Sequence, residues 1–131
     1  MTNEDSNSET YKQGMEKRRK VLGNDHVDHA IETTNELTDS FQEFITRYAW
    51  GEVWNRPGLD DRTRSLLTLS MLIALGHNEE FEMHVRAAIN NGVTVEEIKE
   101  VLLHSALYCG LPAANSGFSM ASRVLKELGK L

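Results

Sequence analysis

His77, Glu80 and His84 stand at i, i+3 and i+7, a spacing that puts three acid/base groups or metal ligands on one side of two helical turns. Two histidines and a carboxylate can bind zinc or another divalent ion. Three features argue against a metal here. Glu80 falls in a first helical turn, where acids complement the helix dipole, His77 precedes the cap, and His84 fits a hydrogen-bonded histidine at a core edge. The set is therefore read without a metal. His84 has a better claim as a lone functional group: it lies three residues from Phe81 and four from Ala88, facing inward, where burial can set an imidazole near a working pKa. A structural histidine is the equal alternative at this point. His26, His29 and Glu32 repeat the look of a ligand set and read as a solvated helix face.

Other groups gather in short segments. Gly51-Glu52-Val53-Trp54-Asn55-Arg56-Pro57-Gly58-Leu59 is too rich in breakers for a helix interior, yet holds an acid, an aromatic and a base, so it reads as a loop dense in functional groups. Asp60, Arg62 and Arg64 form a charged helix start. Glu82 and Arg86 are an i, i+4 pair, whereas Arg64 is less readily matched within its own helix. His104 and Tyr108 lie one turn apart beside the Val101 face, able to present donors to a pocket or to sit at a core edge with wet tips.

The elements that must position these groups read as helices. Both prolines fall at segment boundaries, and no alternating strand, internal repeat or low-complexity tract is found. Residues 1–10 read as a polar tail, frayed before about Ser8; residues 11–131 read as one domain. Tyr11, Met15, Arg18 and Leu22 trace a first stripe that ends near Gly23, and a short second helix follows Asn24. Ser40-Phe41-Gln42-Glu43 reads as a capping box for a third helix, with Phe41, Phe44, Ile45 and Tyr48 as its apolar face and Gly51 as its end. Asp60 caps a fourth, broadly apolar and central helix closed by Gly76. Asn78 caps a fifth, bearing Phe81, Val85, Ala88 and Ile89, with Asn91-Gly92 as its exit. Thr94-Val95-Glu96-Glu97 is a capping box for the sixth, stopped by Gly110. Pro112 opens a seventh with Ala114, Phe118, Ala121, Leu125 and Leu128 on one stripe. The fold class is all-α, a helical bundle of about six to seven helices.

Composition narrows the functions. With 14 Lys+Arg against 20 Asp+Glu, the net charge of −6 argues against broad phosphate neutralisation, hence against nucleic acid, and against anionic membranes. No stretch approaches the roughly 18 apolar residues of a membrane span. The one cysteine, Cys109, offers neither an internal disulfide nor a CxxC pair, which fits a reducing cytoplasmic setting. The 5 methionines and several wide apolar stripes of so small a chain point to burial against copies of itself.

An ordered set of motifs resembles one family. Gly14-Met15, Arg18-Arg19, Val21-Leu22-Gly23 and His26-Val27-Asp28 are followed by Arg47-Tyr48-Ala49-Trp50-Gly51-Glu52-Val53-Trp54 and Arg56-Pro57-Gly58-Leu59. Then come Arg62-Thr63-Arg64-Ser65-Leu66-Leu67, Ala74-Leu75-Gly76, His84-Val85-Arg86-Ala87-Ala88, Asn91-Gly92-Val93-Thr94, Glu97 to His104, Tyr108-Cys109-Gly110 and Pro112-Ala113-Ala114-Asn115. From about Tyr11 onward this resembles the 4-carboxymuconolactone decarboxylase family of the alkylhydroperoxidase-like superfamily, whose members are all-helical and assemble as trimers or dimers of trimers. The superfamily's redox members carry a CxxC ahead of a histidine. Matching the stretch from His84 to Gly92 places that CxxC on His77-Asn78-Glu79-Glu80, where both thiols are absent, so dithiol peroxidase chemistry is rejected.

The resemblance implies loss of carbon dioxide from 4-carboxymuconolactone to give 3-oxoadipate enol-lactone in protocatechuate catabolism, the β-ketoadipate pathway. The conjugated lactone itself accepts the electron pair, so no cofactor is implied. The tasks left to the protein are to hold two carboxylates, to stabilise charge on the lactone oxygen and to protonate the ring carbon. On this resemblance His84 is expected to protonate the dienolate or donate to its oxygen, with Glu52 orienting it or carrying the proton. Arg64 and Arg56, with Arg86 beside them, are expected to hold carboxylate. Trp54 would wall the pocket, and His104 and Tyr108 would add donors. The partners implied are a small dicarboxylate lactone and further copies of the chain, as a trimer or hexamer with sites that neighbouring subunits can share. Two other readings stay open: a non-catalytic helical oligomer that binds an aromatic-derived acid, and a related decarboxylase acting on a differently substituted lactone.

Overall fold

Asp60 begins the most regular part of the chain: its carboxylate accepts the Thr63 amide at 2.7 Å and starts a fifteen-residue helix. In this computed structural model, which describes the backbone of residues 3–131 and the side chains of residues 7–131, the helices are α1 (Asn3–Leu22), α2 (Asn24–Glu32), α3 (Asp39–Ile45), α4 (Asp61–Leu75), α5 (Asn78–Asn90), α6 (Val95–Cys109) and α7 (Leu111–Glu127). A π-helical segment, Thr46–Val53, continues α3, and the described residues contain no strand. The all-α class is as expected. The chain divides into two compact units, Met1–Leu59 and Asp60–Leu131.

Unit 2 holds α4 to α7, with α4 packed on each of the other three. Its core is carbon: Leu69 and Ile73 from α4, Phe81 and Val85 from α5, Ile98 and Leu102 from α6, Val124 and Leu125 from α7. Each such burial contributes about 1.5–3 kcal/mol. Its boundaries follow from local chemistry. Thr94 Oγ1 accepts the Glu97 amide at 3.1 Å while the Glu97 carboxylate accepts the Thr94 amide at 3.0 Å, closing the expected capping box. Gly76 ends α4 in the left-handed region at φ 73°, and Pro112 sits in the first turn of α7. On α5 the cap position belongs to His77, one residue before the expected Asn78.

Unit 1 departs further from its sequence pattern. Residues 1 and 2 of the expected tail lie outside the described residues, and from Asn3 the stretch is already part of α1. The buried face of α1 is Gly14, Arg18 and Val21 rather than Tyr11, Met15, Arg18 and Leu22. The Ser40 capping box does not form: Asn35 Oδ1 accepts the Leu37 and Thr38 amides at 2.9 and 3.2 Å in a turn, and the helix is under way at Asp39. Gly51 does not end the helix but lies inside the π segment. There the buried residues are Thr46, Trp50 and Gly51, four and five apart, while Phe41, Phe44 and Tyr48 of the expected apolar face are exposed. Within the segment the i→i+5 ladder widens each turn, so a 3.6-residue period does not track its buried residues.

Candidate functional site

The groups expected to do chemistry fall in both units, and each set is built locally. In unit 1 they sit at the end of the π segment. The Trp54 amide donates to the Ala49 carbonyl at 2.9 Å, a five-residue bond that carries the π register past Val53. That register lays half-buried Trp54 against buried Trp50, with ring centroids 4.9 Å apart at 30°. Glu52 is exposed, beside them in sequence. The next turn is tied back to α1 where Asn55 Nδ2 donates to the Gln13 carbonyl at 3.2 Å, and Arg56 stands exposed on that turn. Acid, aromatic and base thus share one short stretch of unit 1, though its first residues, through Val53, are π-helical rather than loop.

The start of the π segment is held by a buried arginine. Arg18 donates from Nη1 to Thr46 Oγ1 at 3.2 Å and from Nη2 to Gln42 Oε1 at 3.0 Å. Thr46 Oγ1 in turn donates to the Gln42 carbonyl at 2.7 Å. Burial pushes the Arg18 guanidinium below its ordinary range. The amino-acid pattern marks Arg18 only as part of a helical stripe and gives it no role; the signal available was a charge on a face shared with a glycine.

In unit 2, His84 is buried at 8% exposure among Phe81, Val85, Ala87 and Ala88 of its own helix, facing inward as expected. Its Nδ1 atom and the Nε atom of Arg64 are buried without a hydrogen bond to those atoms among the described residues, although both residues make other interactions. On α4, Ser65 is buried beside Arg64 and accepts from Asn91 Nδ2 at 3.0 Å, a link between α4 and the end of α5 where the amino-acid pattern suggests only a helix exit. His104 and Tyr108 are exposed on α6, with rings 5.2 Å apart. Arg86 ion-pairs with Glu127 of α7, not with Glu82 as its spacing suggested, and Glu82 is taken by Arg123, also of α7. Two crossed pairs therefore tie α5 to α7, which occupies Arg86 structurally.

A groove of about 780 Å³ runs between α4 and α6, lined by Leu66, Leu67, Val101, Leu103, His104 and Leu107 among others. It includes His104 but neither His84 nor Arg64. No group of three or more His, Cys, Asp or Glu among the described residues is arranged to hold a metal ion, and no described helix is long and apolar enough to cross a membrane. Cys109 is a half-buried free thiol.

The chain is all-helical, with one buried histidine among the described residues, and its fold is the alkylhydroperoxidase-like one of the family it matches. Residues 39–123, from α3 into α7, match the carboxymuconolactone decarboxylase family, and the chain belongs to that family. It is 52% identical over 124 residues, 95% of this chain and 92% of the relative, to 4-carboxymuconolactone decarboxylase of Acinetobacter baylyi. It is 40% identical over 127 residues, 97% and 89% of the two chains, to nitrosuccinic acid decarboxylase of Metarhizium robertsii. A shorter match, 50% identical over 42 residues, covers 32% of this chain and 88% of a 4-carboxymuconolactone decarboxylase from Pseudomonas putida.

Proposed function

We propose that this protein is a cofactor-independent carboxy-lyase that converts 4-carboxymuconolactone to 3-oxoadipate enol-lactone in protocatechuate catabolism. The observation that carries the reading is the 52% identity to a 4-carboxymuconolactone decarboxylase along 95% of the chain. The bond from the ring carbon to the departing carboxylate breaks. Its electron pair moves through the ring double bond onto the lactone carbonyl oxygen, and a proton is delivered to the ring carbon beside that carbonyl. His84, interior on α5, is the proposed donor, and Glu52 the proposed group that orients it or supplies the proton. Arg64 and Arg56 hold the carboxylates and Trp54 walls the substrate, while His104 and Tyr108 add donors. Arg86, paired with Glu127, is the weakest member of the set. A preorganised donor to the developing oxyanion contributes about 3–4 kcal/mol and a positioned acid roughly 10²–10⁴-fold.

Copies of the chain are proposed to assemble as a trimer or hexamer in the cytoplasm. The support is a line of exposed apolar side chains, Leu67, Met71 and Leu75 on α4 and Leu103 and Leu107 on α6. Light scattering that gives a monomer mass would remove this part.

The decisive experiment supplies purified protein with 4-carboxymuconolactone and follows carbon dioxide release together with enol-lactone formation. Stoichiometric release of both is expected; tight binding without turnover would favour a non-catalytic binder. His84→Gln should lower kcat by roughly 10²–10⁴-fold, and unchanged turnover would remove His84 from its role.

A second reading has one specific support, the 40% identity along nearly the whole chain to a nitrosuccinic acid decarboxylase. Nitrosuccinic acid and 4-carboxymuconolactone share a frame: one carbon bears the departing carboxylate, a CH2-carboxylate arm and an electron acceptor. The acceptor is a nitro group in one and a conjugated lactone in the other, and loss of carbon dioxide leaves charge on an oxygen of either. We propose nitrosuccinic acid as a slower alternative substrate, tested by the same carbon dioxide assay.

A further inference from the structure

Three uncommon features meet in unit 1, and the chemistry proposed above uses none of them. The first is the π segment itself, since such turns are rare inside helices and recur at functional sites. The second is a buried cation whose two hydrogen-bond acceptors, Thr46 and Gln42, are neutral, an arrangement that costs solvation without a counter-charge at those contacts. The third is the approach of α1 to the π segment. A Cβ at Gly14 would collide with the Thr46 carbonyl oxygen and lie 2.8 Å from the Gly51 amide, while a Cβ at Gly51 would lie 2.6 Å from the Thr10 carbonyl. Two bare backbones are in contact, and Arg18 lies one turn beyond Gly14 on the same face of α1.

All three act on one junction. Gln42 belongs to α3 and Thr46 is the first residue of the π segment, so the Arg18 guanidinium spans the point where the four-residue ladder gives way to the five-residue one. Trp50, Glu52 and Trp54 lie further along the chain, their directions set by that ladder. A slip of one residue back towards the α register would swing each of them by roughly 100° about the helix axis. Arg18 and Gly14 also lie outside residues 39–123, the part that matches the family model.

We propose that Arg18 is a positioning residue: by holding Thr46 and Gln42 together it fixes the π register that aims Glu52 and Trp54, and so governs the reaction without touching the substrate. This rests on the placement of Glu52 in the reacting site, and the test separates the two. Arg18→Met, Arg18→Lys, Thr46→Val and Glu52→Gln are each assayed for kcat and KM, with near-ultraviolet circular dichroism as an independent report on the Trp50–Trp54 pair. The protein has only these 2 tryptophans. Arg18→Met should lower kcat by roughly 10²-fold, the scale of a small misplacement of a reacting group. KM should change little, and the tryptophan pair signal should collapse while far-ultraviolet helicity stays. Arg18→Lys, which reaches one acceptor at a time, should recover part of both. Arg18→Met should slow the Glu52→Gln variant by a clearly smaller factor than it slows the parent, because the share of its effect that runs through Glu52 is already gone; an equal factor in both backgrounds overturns the proposal. If Arg18→Met does not fold, Thr46→Val carries the same expectations. A variant that only lowers the melting temperature, with kcat and the tryptophan signal intact, overturns the proposal. Should Glu52→Gln leave kcat unchanged, the assignment of Glu52 fails by itself, and the tryptophan signal still decides whether Arg18 sets the register.

Discussion

Unit 2 buries, beside Ser65, His84, Ser105 and Gly117, a connected core of leucine, isoleucine, valine, phenylalanine and alanine, and its four α-helices meet through side chains; unit 1 buries, beside Val21, Val27 and Trp50, two glycines, a threonine and an arginine, and α1 meets the π segment through backbone. The two arrangements respond differently to damage. A side-chain core can relax around a change of volume, with a cost that depends on how well the site collapses. A backbone contact has nothing to move except the helices themselves. The difference also bears on function, because the irregular element is the one that carries Glu52 and leads into Trp54, whereas His84 sits in the regular unit on an ordinary α-helix.

The largest expected effect tests the carbon core. Phe81 is fully buried in unit 2, and Phe81→Ala should cost about 3–5 kcal/mol. Both tryptophans lie in unit 1, so tryptophan fluorescence during denaturant unfolding reports that unit, while hydrogen exchange on α5 and α7 reports unit 2. A Phe81→Ala loss seen equally by both probes would show the two units to unfold as one.

Next come paired glycine substitutions, which compare the two kinds of contact directly. Gly14→Ala meets main-chain atoms of Thr46 and Gly51, and should cost about 3 kcal/mol, the upper part of the range for overpacking. Gly117→Ala on α7 meets the tips of Leu102 and Ile73, at 2.6 and 2.8 Å. Those tips can change rotamer, so about 1 kcal/mol is expected. Equal losses in the two variants would mean that unit 1 yields as easily as a side-chain core, and the contrast between the units would fail.

The same contrast explains what could be read from the amino-acid sequence. In unit 2 the signals are local and each has a single cause: Asp60 and Thr94 cap, Gly76 and Gly110 stop, Pro112 starts, and the spacing of Phe81, Val85 and Ala88 turns His84 inward. The ion pairs of α5 were misread because a helical i, i+4 neighbour is only one competitor for a long side chain, and α7 brings Glu127 to Arg86 and Arg123 to Glu82. In unit 1 the differences come from elements that apolar spacing does not mark. Phe41, Phe44 and Tyr48 form a convincing α-helical stripe, and Phe44 and Tyr48 do stack on one face, yet that face is exposed; the buried residues of the π segment are Thr46, Trp50 and Gly51, and nothing in apolar spacing announces a π turn. Ser40 and Glu43 have capping-box spacing but fall inside a helix already started by the Asn35 turn. The burial of His84 was legible. Arg18 was not, because a charge on an apolar stripe is usually discounted.

The smallest effect belongs to the boundary where unit 2 begins. The Thr63 hydrogen bond, helped by the Arg62 charge nearby, holds the Asp60 carboxyl below the usual carboxylate range. A carboxylate whose pKa is lower in the folded than in the unfolded protein adds stability that is complete above the unfolded value, near 4. That stability is lost as pH falls through the folded value. Asp60→Asn keeps a good cap but removes the charge, so the variant should be slightly less stable than the parent at pH 7. The gap should close steadily below about pH 4, measured by urea unfolding followed at α4 by hydrogen exchange. The tryptophan-reported transition of unit 1 should show no such pH-dependent gap if the two units answer separately to their own chemistry. A gap that widens in acid would mean that the ionised Asp60 is unfavourable in the folded chain, and the assignment of this cap would have to be abandoned.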